Sequence, residues 1–245
     1  MKKILYIFVI VLLISLILVS SYNIFNELQE NKKQGKVFEE LIEIVEKSSS
    51  ENEEKEETNL QQLYEINNDF VGWLSIENTT INYPAMQTKN NPNYYLKRDF
   101  YKNYSSYGTP YISEQCNVSE SGNIIIYGHH MKNKEMFGAL EYYKNKEFYN
   151  NHQVITFETL EEKKNYEIFA VFKTVAYSNS GFRYYDYIGF ENEHDYNNFI
   201  EKCKEFSIYE TNKTPIYGDK LLTLSTCEYS NKNGRLVVIA YETNS

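Results

Sequence analysis

Cys227, Arg235 and His129 are the three side chains whose types and spacing point to covalent chemistry. Cys227 closes the segment Leu221 to Cys227, where Leu222 and Leu224 alternate with Thr223, Ser225 and Cys227. That period of two predicts a half-buried strand with its polar face outward. The residues from Glu228 to Gly234 include Asn231, Asn233 and Gly234, types that tolerate a left-handed backbone, and Arg235 then opens the apolar run Leu236 to Tyr241. Two antiparallel strands closed by such a turn set a thiol beside a guanidinium. A free thiol is only a few per cent thiolate at neutral pH, and a nearby cation favours the nucleophilic anion. The same Arg can hold a developing oxyanion. Taken alone, Cys227 also fits a small buried hydrophobe, the usual fate of a lone strand Cys.

His129 follows Asn123 to Tyr127, whose consecutive large apolar residues predict a strand buried on both faces. The strand fixes the backbone, and Gly128 is expected to let the chain bend sharply, so His129 points into a cleft as a proton-transfer partner for Cys227. His130 is expected to project away from it, and His130, His152 and His194 are read as surface histidines.

The elements that must position these groups are many short strands. Strands are expected over Val71 to Ile76, Thr80 to Tyr83 with Pro84 as its stop, Tyr111 and Ile112, Asn123 to Tyr127, Val154 to Phe157, Tyr166 to Val175 and the closing hairpin. Leu60 to Asn68, Lys134 to Lys144 and Asn192 to Phe206 carry apolar residues at helical spacing, and Asn91 to Phe100 reads as a polar, aromatic turn or short helix. Ala176 to Phe190 is too rich in Gly and Tyr for an ordinary turn. Strands with inserted rather than alternating helices predict a mainly β protein, an antiparallel barrel or sandwich with peripheral helices.

The chain has 245 residues and a formal net charge of -9, enough for one folded domain plus extensions. The acidity argues against nucleic acid, which calls for a clustered basic face. The acidic run Glu51 to Glu57 reads as a solvated linker. The 24 tyrosines fit an aromatic binding surface, and they also fit A/T-rich codon usage. Three cysteines, Cys116, Cys203 and Cys227, exclude a full disulfide framework, and no Cys or His spacing fits a metal site, so no cofactor and no metal are expected.

Lys2 and Lys3 precede an apolar run from Ile4 to Val19, close to the roughly 20 residues that span a bilayer. Val19, Ser20 and Ser21 would also suit a cleavage site. The preferred reading is an uncleaved single-pass anchor over residues 1–25, with the N-terminus inside and the remainder outside. A helix from Lys36 to Lys47 and a disordered stretch from Ser48 to Thr58 then form a stalk over 26–58, leaving 59–245 as the catalytic domain.

Thr223 to Cys227 (TLSTC), Arg235 at the start of the next strand and Ile124 to His130 (IIIYGHH) together resemble the sortases, cysteine transpeptidases of the Gram-positive cell surface. The likeness is to class B, extends to Tyr94 to Ser113 and covers roughly Leu60 to Glu242. It implies a closed barrel of about eight strands with N-terminal helices and a long helix before the last strands. It further implies that Cys227 attacks a Thr carbonyl in a C-terminal sorting motif of NPxTx or (S/P)PxTG type, that His129 protonates the leaving amine and deprotonates the incoming one, and that Arg235 steadies the oxyanion with the backbone N–H of Glu228. Ser225, and Tyr185 in the aromatic loop, are implied substrate contacts. The implied partners are a surface protein bearing the motif and a peptidoglycan precursor or cross-bridge amine, met at the outer face of the membrane. No Asp or Asn is recognisable as a papain-type third member. A papain-like or cell-wall cysteine hydrolase and a non-catalytic membrane-anchored scaffold are the competing readings.

Overall fold

A computed structural model describes residues 2–47, 59–177 and 181–243. By internal packing the chain divides into a unit ending at Glu40 and a unit beginning at Leu41. The first unit is helical. Helix α1 runs Lys2–Lys47 without interruption, so the apolar segment and the helix expected from Lys36 are one element. Its apolar side chains from Ile4 to Leu28 are exposed. The disorder expected over Ser48 to Thr58 falls outside the described residues.

The second unit begins, among the described residues beyond the gap, with α2 (Asn59–Ile66), which leads into strands β1 (Phe70–Ser75) and β2 (Asn82–Met86). β3 (Tyr111–Ile112) and β4 (Asn123–Tyr127) follow, then α3 (Lys146–Asn151), β5 (Val154–Thr159), β6 (Lys163–Val175), α4 (Glu193–Phe206), β7 (Leu221–Cys227) and β8 (Gly234–Thr243). The eight strands close into one barrel in the order β1-β2-β3-β4-β7-β8-β6-β5. Closure removes the sheet edges that would otherwise expose unpaired backbone. The expected strands and their count are present, but the barrel is mixed rather than antiparallel. β2 runs parallel to β3 and β4 parallel to β7.

Pro84 does not end its strand; it sits inside β2 opposite Trp73. β2 meets β3 only at Met86 and Tyr111, so on that side a missing N–H at Pro84 removes no ladder bond. β7 also departs from expectation, because it is buried on both faces up to Thr226. Its hydroxyls tolerate burial by pairing: Thr223 Oγ1 donates to Asn123 Oδ1 at 2.8 Å, and Thr226 Oγ1 donates to the Gly128 carbonyl at 2.8 Å.

Among the described residues three 3-10 turns join the elements, Tyr94–Lys97 between β2 and β3, Phe137–Lys144 between β4 and α3, and Tyr184–Asp186 between β6 and α4. The second replaces the α-helix expected over Lys134 to Lys144 but buries the same apolar residues, Met136, Phe137, Leu140 and Tyr143. α4 behaves as its periodicity demands. Asn192 caps it by accepting from the Asp195 N–H, and Tyr196, Phe199, Ile200 and Cys203 form its buried stripe. Phe199 packs against Phe182, Tyr187 and Phe190 at ring distances of 5.7, 4.8 and 5.4 Å. The aromatic connection before α4 is therefore packing material that fixes a loop over the barrel.

Candidate active site

β7 is flanked by β4 on one side and by β8 on the other. Tyr127 of β4 is the parallel partner of Ser225, and the Gly128 N–H donates to the Ser225 carbonyl at 3.1 Å. β4 ends at Tyr127, and His129 lies two residues beyond that rung, as Cys227 lies two residues beyond Ser225 on β7. On the other flank Cys227 is the antiparallel partner of Arg235. Directly opposed residues of such a pair share a face, with Cβ atoms about 5 Å apart. The end of the barrel thus carries a thiol and a guanidinium on paired strands, with the His129 imidazole on the segment that leaves the neighbouring strand β4. Tyr111 and Tyr229 each lie near enough to feel the charges of both Cys227 and Arg235.

Of the chain's three cysteines, Cys116 and Cys203 are buried while Cys227 is partly exposed. Burial pushes the Cys116 thiol up to about 11 and the Cys203 thiol well above its ordinary range, which makes both poor nucleophiles. His129 is held from the far side: its Nε2 donates to the Leu96 carbonyl at 2.7 Å. A carbonyl only accepts, so Nε2 carries a proton and Nδ1 is the nitrogen left to exchange one. Leu96 belongs to the Tyr94–Lys97 turn, which is stabilised in turn by Tyr95, whose hydroxyl accepts from Asn67 Nδ2 and donates to Asp69.

Gly128 is required for a reason other than the expected bend. Its backbone is not in the left-handed region. A Cβ there would lie 2.6 Å from Cγ of the fully buried Phe137 ring. The turn after β7 does use the left-handed conformation, at Asn233 with φ of 59°.

Glu228 departs from expectation. Its backbone N–H donates to the Gly234 carbonyl at 2.9 Å and is not offered to an oxyanion in this arrangement. Arg235 Nη1 donates to the same carbonyl at 3.0 Å, which fixes the guanidinium at the mouth of the turn. The Glu228 carboxylate is 7% exposed and accepts from Lys144 Nζ at 3.0 Å, from the Ser230 N–H at 3.0 Å and from the Ser230 hydroxyl. Burial pushes its pKa up, but those donors outweigh burial and hold it at about 2.

Ser225 is buried, and its hydroxyl shares a 2.6 Å hydrogen bond with Tyr184 instead of facing solvent. Tyr185 is half-buried; its hydroxyl accepts from the Tyr177 N–H at 3.1 Å, and Arg183 lies over its ring. The loop residue nearest the thiol's strand is thus Tyr184, which also feels the Arg235 charge. Sequence reasoning missed it, because one Tyr among Tyr184, Tyr185 and Tyr187 carries no local mark. His130, expected on the surface, is buried, with Nδ1 2.8 Å from the Cys227 carbonyl. His152 is engaged locally through Nδ1 and the Phe148 carbonyl, and only His194 is plainly exposed. A cavity of about 590 Å³ opens beside α4, lined by Phe182, Arg183, Asp186, Tyr187 and Lys202 among others, but none of the three chemistry-bearing side chains lines it. Among the described residues no group of His, Cys, Asp and Glu is arranged to hold a metal ion.

A family model described as the sortase domain matches residues 74–243. Sortase B of Staphylococcus aureus is 32% identical over 233 residues, 94% of this chain and 93% of that protein. The structure of a Staphylococcus aureus sortase B-substrate complex superposes with a TM-score of 0.76 at 30% identity, covering 90% of this chain and 99% of that one. A sortase B complexed with triglycine gives a TM-score of 0.76 at 29% identity, covering 89% and 99%.

Proposed function

The chain belongs to the sortase family, with the class B cysteine transpeptidases, and from that premise we propose that it cleaves a C-terminal sorting motif after Thr and transfers the acyl fragment to a cell-wall amine. The observation that supports this reading is the pairing of Cys227 with Arg235 across β7 and β8, with His129 two residues past the Tyr127–Ser225 rung of β4 and β7. Membership of a transpeptidase family sets aside the scaffold and papain-type alternatives.

In the proposed reaction the Cys227 thiol gives its proton to Nδ1 of His129, the sulfur attacks the Thr carbonyl carbon, and the carbonyl electrons move onto oxygen. Arg235, pinned through the Gly234 carbonyl, turns its remaining N–H donors to that oxyanion. As the tetrahedral species collapses, His129 gives a proton from Nδ1 to the departing amine, and a thioester remains on Cys227. An incoming amine then loses its proton to the same nitrogen and attacks the thioester carbon, and the departing sulfur takes that proton back from Nδ1, restoring the thiol. The Leu96 carbonyl keeps the ring oriented and its Nε2 protonated through both steps. Ser225 acts by holding Tyr184 in the wall of the site, with Tyr185 behind it.

The relatives lend chemistry to both partners. One sortase B has been seen with a substrate and another with triglycine, which fits a sorting-motif peptide of NPxTx or (S/P)PxTG type and a glycine amine here. We assign residues 1–25 to a single-pass membrane anchor, 26–58 to a stalk and 59–245 to a catalytic domain on the outer face. The support is a helix of 46 residues whose exposed apolar run, Ile4 to Val19 extended by Tyr22, Ile24 and Phe25, is close to the roughly 20 residues a bilayer requires.

A labelled peptide carrying N-P-x-T-x, incubated with the protein and triglycine, is expected to yield the fragment through Thr joined to triglycine. The Cys227→Ala variant, with an unchanged melting temperature, should yield none. Cleavage by that variant would discard the nucleophile, and cleavage without ligation at saturating triglycine would make the protein a hydrolase.

A further inference from the structure

His130 lies immediately after the proposed proton carrier and is buried, although nothing in the proposed reaction uses it. The β4–β7 ladder explains its position. Parallel ladders advance two residues per bond. The Gly128 N–H meets the Ser225 carbonyl, so the next rung would join the His130 N–H to the Cys227 carbonyl. β4 has ended by then, and the chain turns away into a bridge between His130 and Met136. The Cys227 carbonyl nevertheless meets a donor, because His130 Nδ1 lies 2.8 Å from it.

The ring is braced on every side. Its Nε2 is 3.3 Å from Glu141 Oε2, and its face lies 5.1 Å from the Tyr229 ring, whose hydroxyl donates to the His130 carbonyl at 3.3 Å. Glu141 also binds Lys134 and, at 3.1 Å, Lys144. Lys144 continues to Glu228, the residue after the nucleophile. The Cys227 carbonyl only accepts, so Nδ1 is the nitrogen that donates to it.

We propose that His130 is a positioning residue: its Nδ1–H stands in for the missing rung of the ladder, locks the Cys227 backbone to the segment carrying His129, and so fixes the distance between sulfur and imidazole. The proposal rests on the transpeptidase reading for its kinetic consequence, but the hydrogen bond itself is testable without turnover.

Asn and Gln separate the two ring nitrogens. An Asn amide nitrogen falls near Nδ1, and a Gln amide nitrogen falls near Nε2. H130N therefore keeps the bond to Cys227 and loses the approach to Glu141, and H130Q does the reverse. With the peptide and triglycine, H130N is expected to keep kcat within about threefold of wild type, while H130Q loses at least about tenfold in kcat at little-changed KM, the scale of one buried hydrogen bond. Backbone amide exchange over Thr226 to Tyr229 should rise about tenfold or more in H130Q and little in H130N. Equal losses in the two variants, or exchange unchanged in H130Q, would overturn the proposal. So would a melting temperature lowered equally in both, because His130 would then serve the fold at large. Absence of ligation by the wild type would count against the transpeptidase reading, and the exchange comparison would still decide the clamp.

Discussion

The Gly234 carbonyl takes two donors, the Glu228 N–H and Arg235 Nη1, and this detail sets what Arg235 must be. A guanidinium can hold that carbonyl with one N–H and direct others towards a substrate oxygen. A lysine ammonium is a single point on a flexible stem and cannot span both. Arg235→Lys is accordingly expected to lower kcat by about 10²-fold or more, the cost of losing an oxyanion donor, with a smaller change in KM. Steady-state rates with the motif peptide would show it, and a wild-type kcat would remove Arg235 from the chemistry. Cys227 and Arg235 were legible because a strand, a turn of suitable residues and a second strand place their ends together by arithmetic alone. His130 was not. Its burial comes from Tyr229 and Glu141, and its bond from the place where a parallel ladder breaks, none of which a local pattern records. Glu228 was read for its backbone N–H, but the structure spends that group on the turn and puts the side chain among lysines.

The 3-10 turn Phe137–Lys144 and the β7–β8 turn are joined by charge. Glu141 pairs with Lys134 and Lys144, and Lys144 and Lys173 reach Glu228. Lys134 and Lys144 pull the Glu141 carboxyl down to about 2 against the opposing effect of burial, and Glu228 sits at about 2 as well. A carboxyl whose folded pKa lies below its unfolded value stabilises the fold fully above the unfolded value, and that contribution is lost as pH falls towards the folded one. Melting temperature should therefore fall between about pH 4.5 and pH 2, and the Glu141→Gln, Glu228→Gln double variant should show a shallower fall. Identical slopes would mean that the pairs contribute nothing to folding. Among elements, α4 and most strands were readable from their period, since each buries one regular stripe or face. Pro84 was misread because its tolerance depends on which neighbour pairs with β2, and the parallel pairings escaped because strand order is decided by closure of the barrel.

At the scale of the molecule, the barrel brings together residues about a hundred positions apart by making β4 and β8 neighbours of β7. The closed sheet gives rigidity and holds the proposed nucleophile and cation, Cys227 and Arg235, in register on paired strands, while the proposed acid, His129, follows β4 and is held through the Leu96 carbonyl. The family was visible in the sequence because TLSTC, the His segment and Arg235 each mark one of those three strand ends. The enclosing wall was less visible, since Ser225, Tyr184 and Tyr185 are ordered by packing across the 181–190 loop. Acylation of one sulfur is the event on which the proposed chemistry turns. Intact-mass analysis of the protein incubated with the motif peptide, without an amine, is expected to show a mass gain equal to the fragment ending at Thr, mapped to Cys227 and released by triglycine. An unmodified chain, or an adduct on any residue other than Cys227, would contradict it.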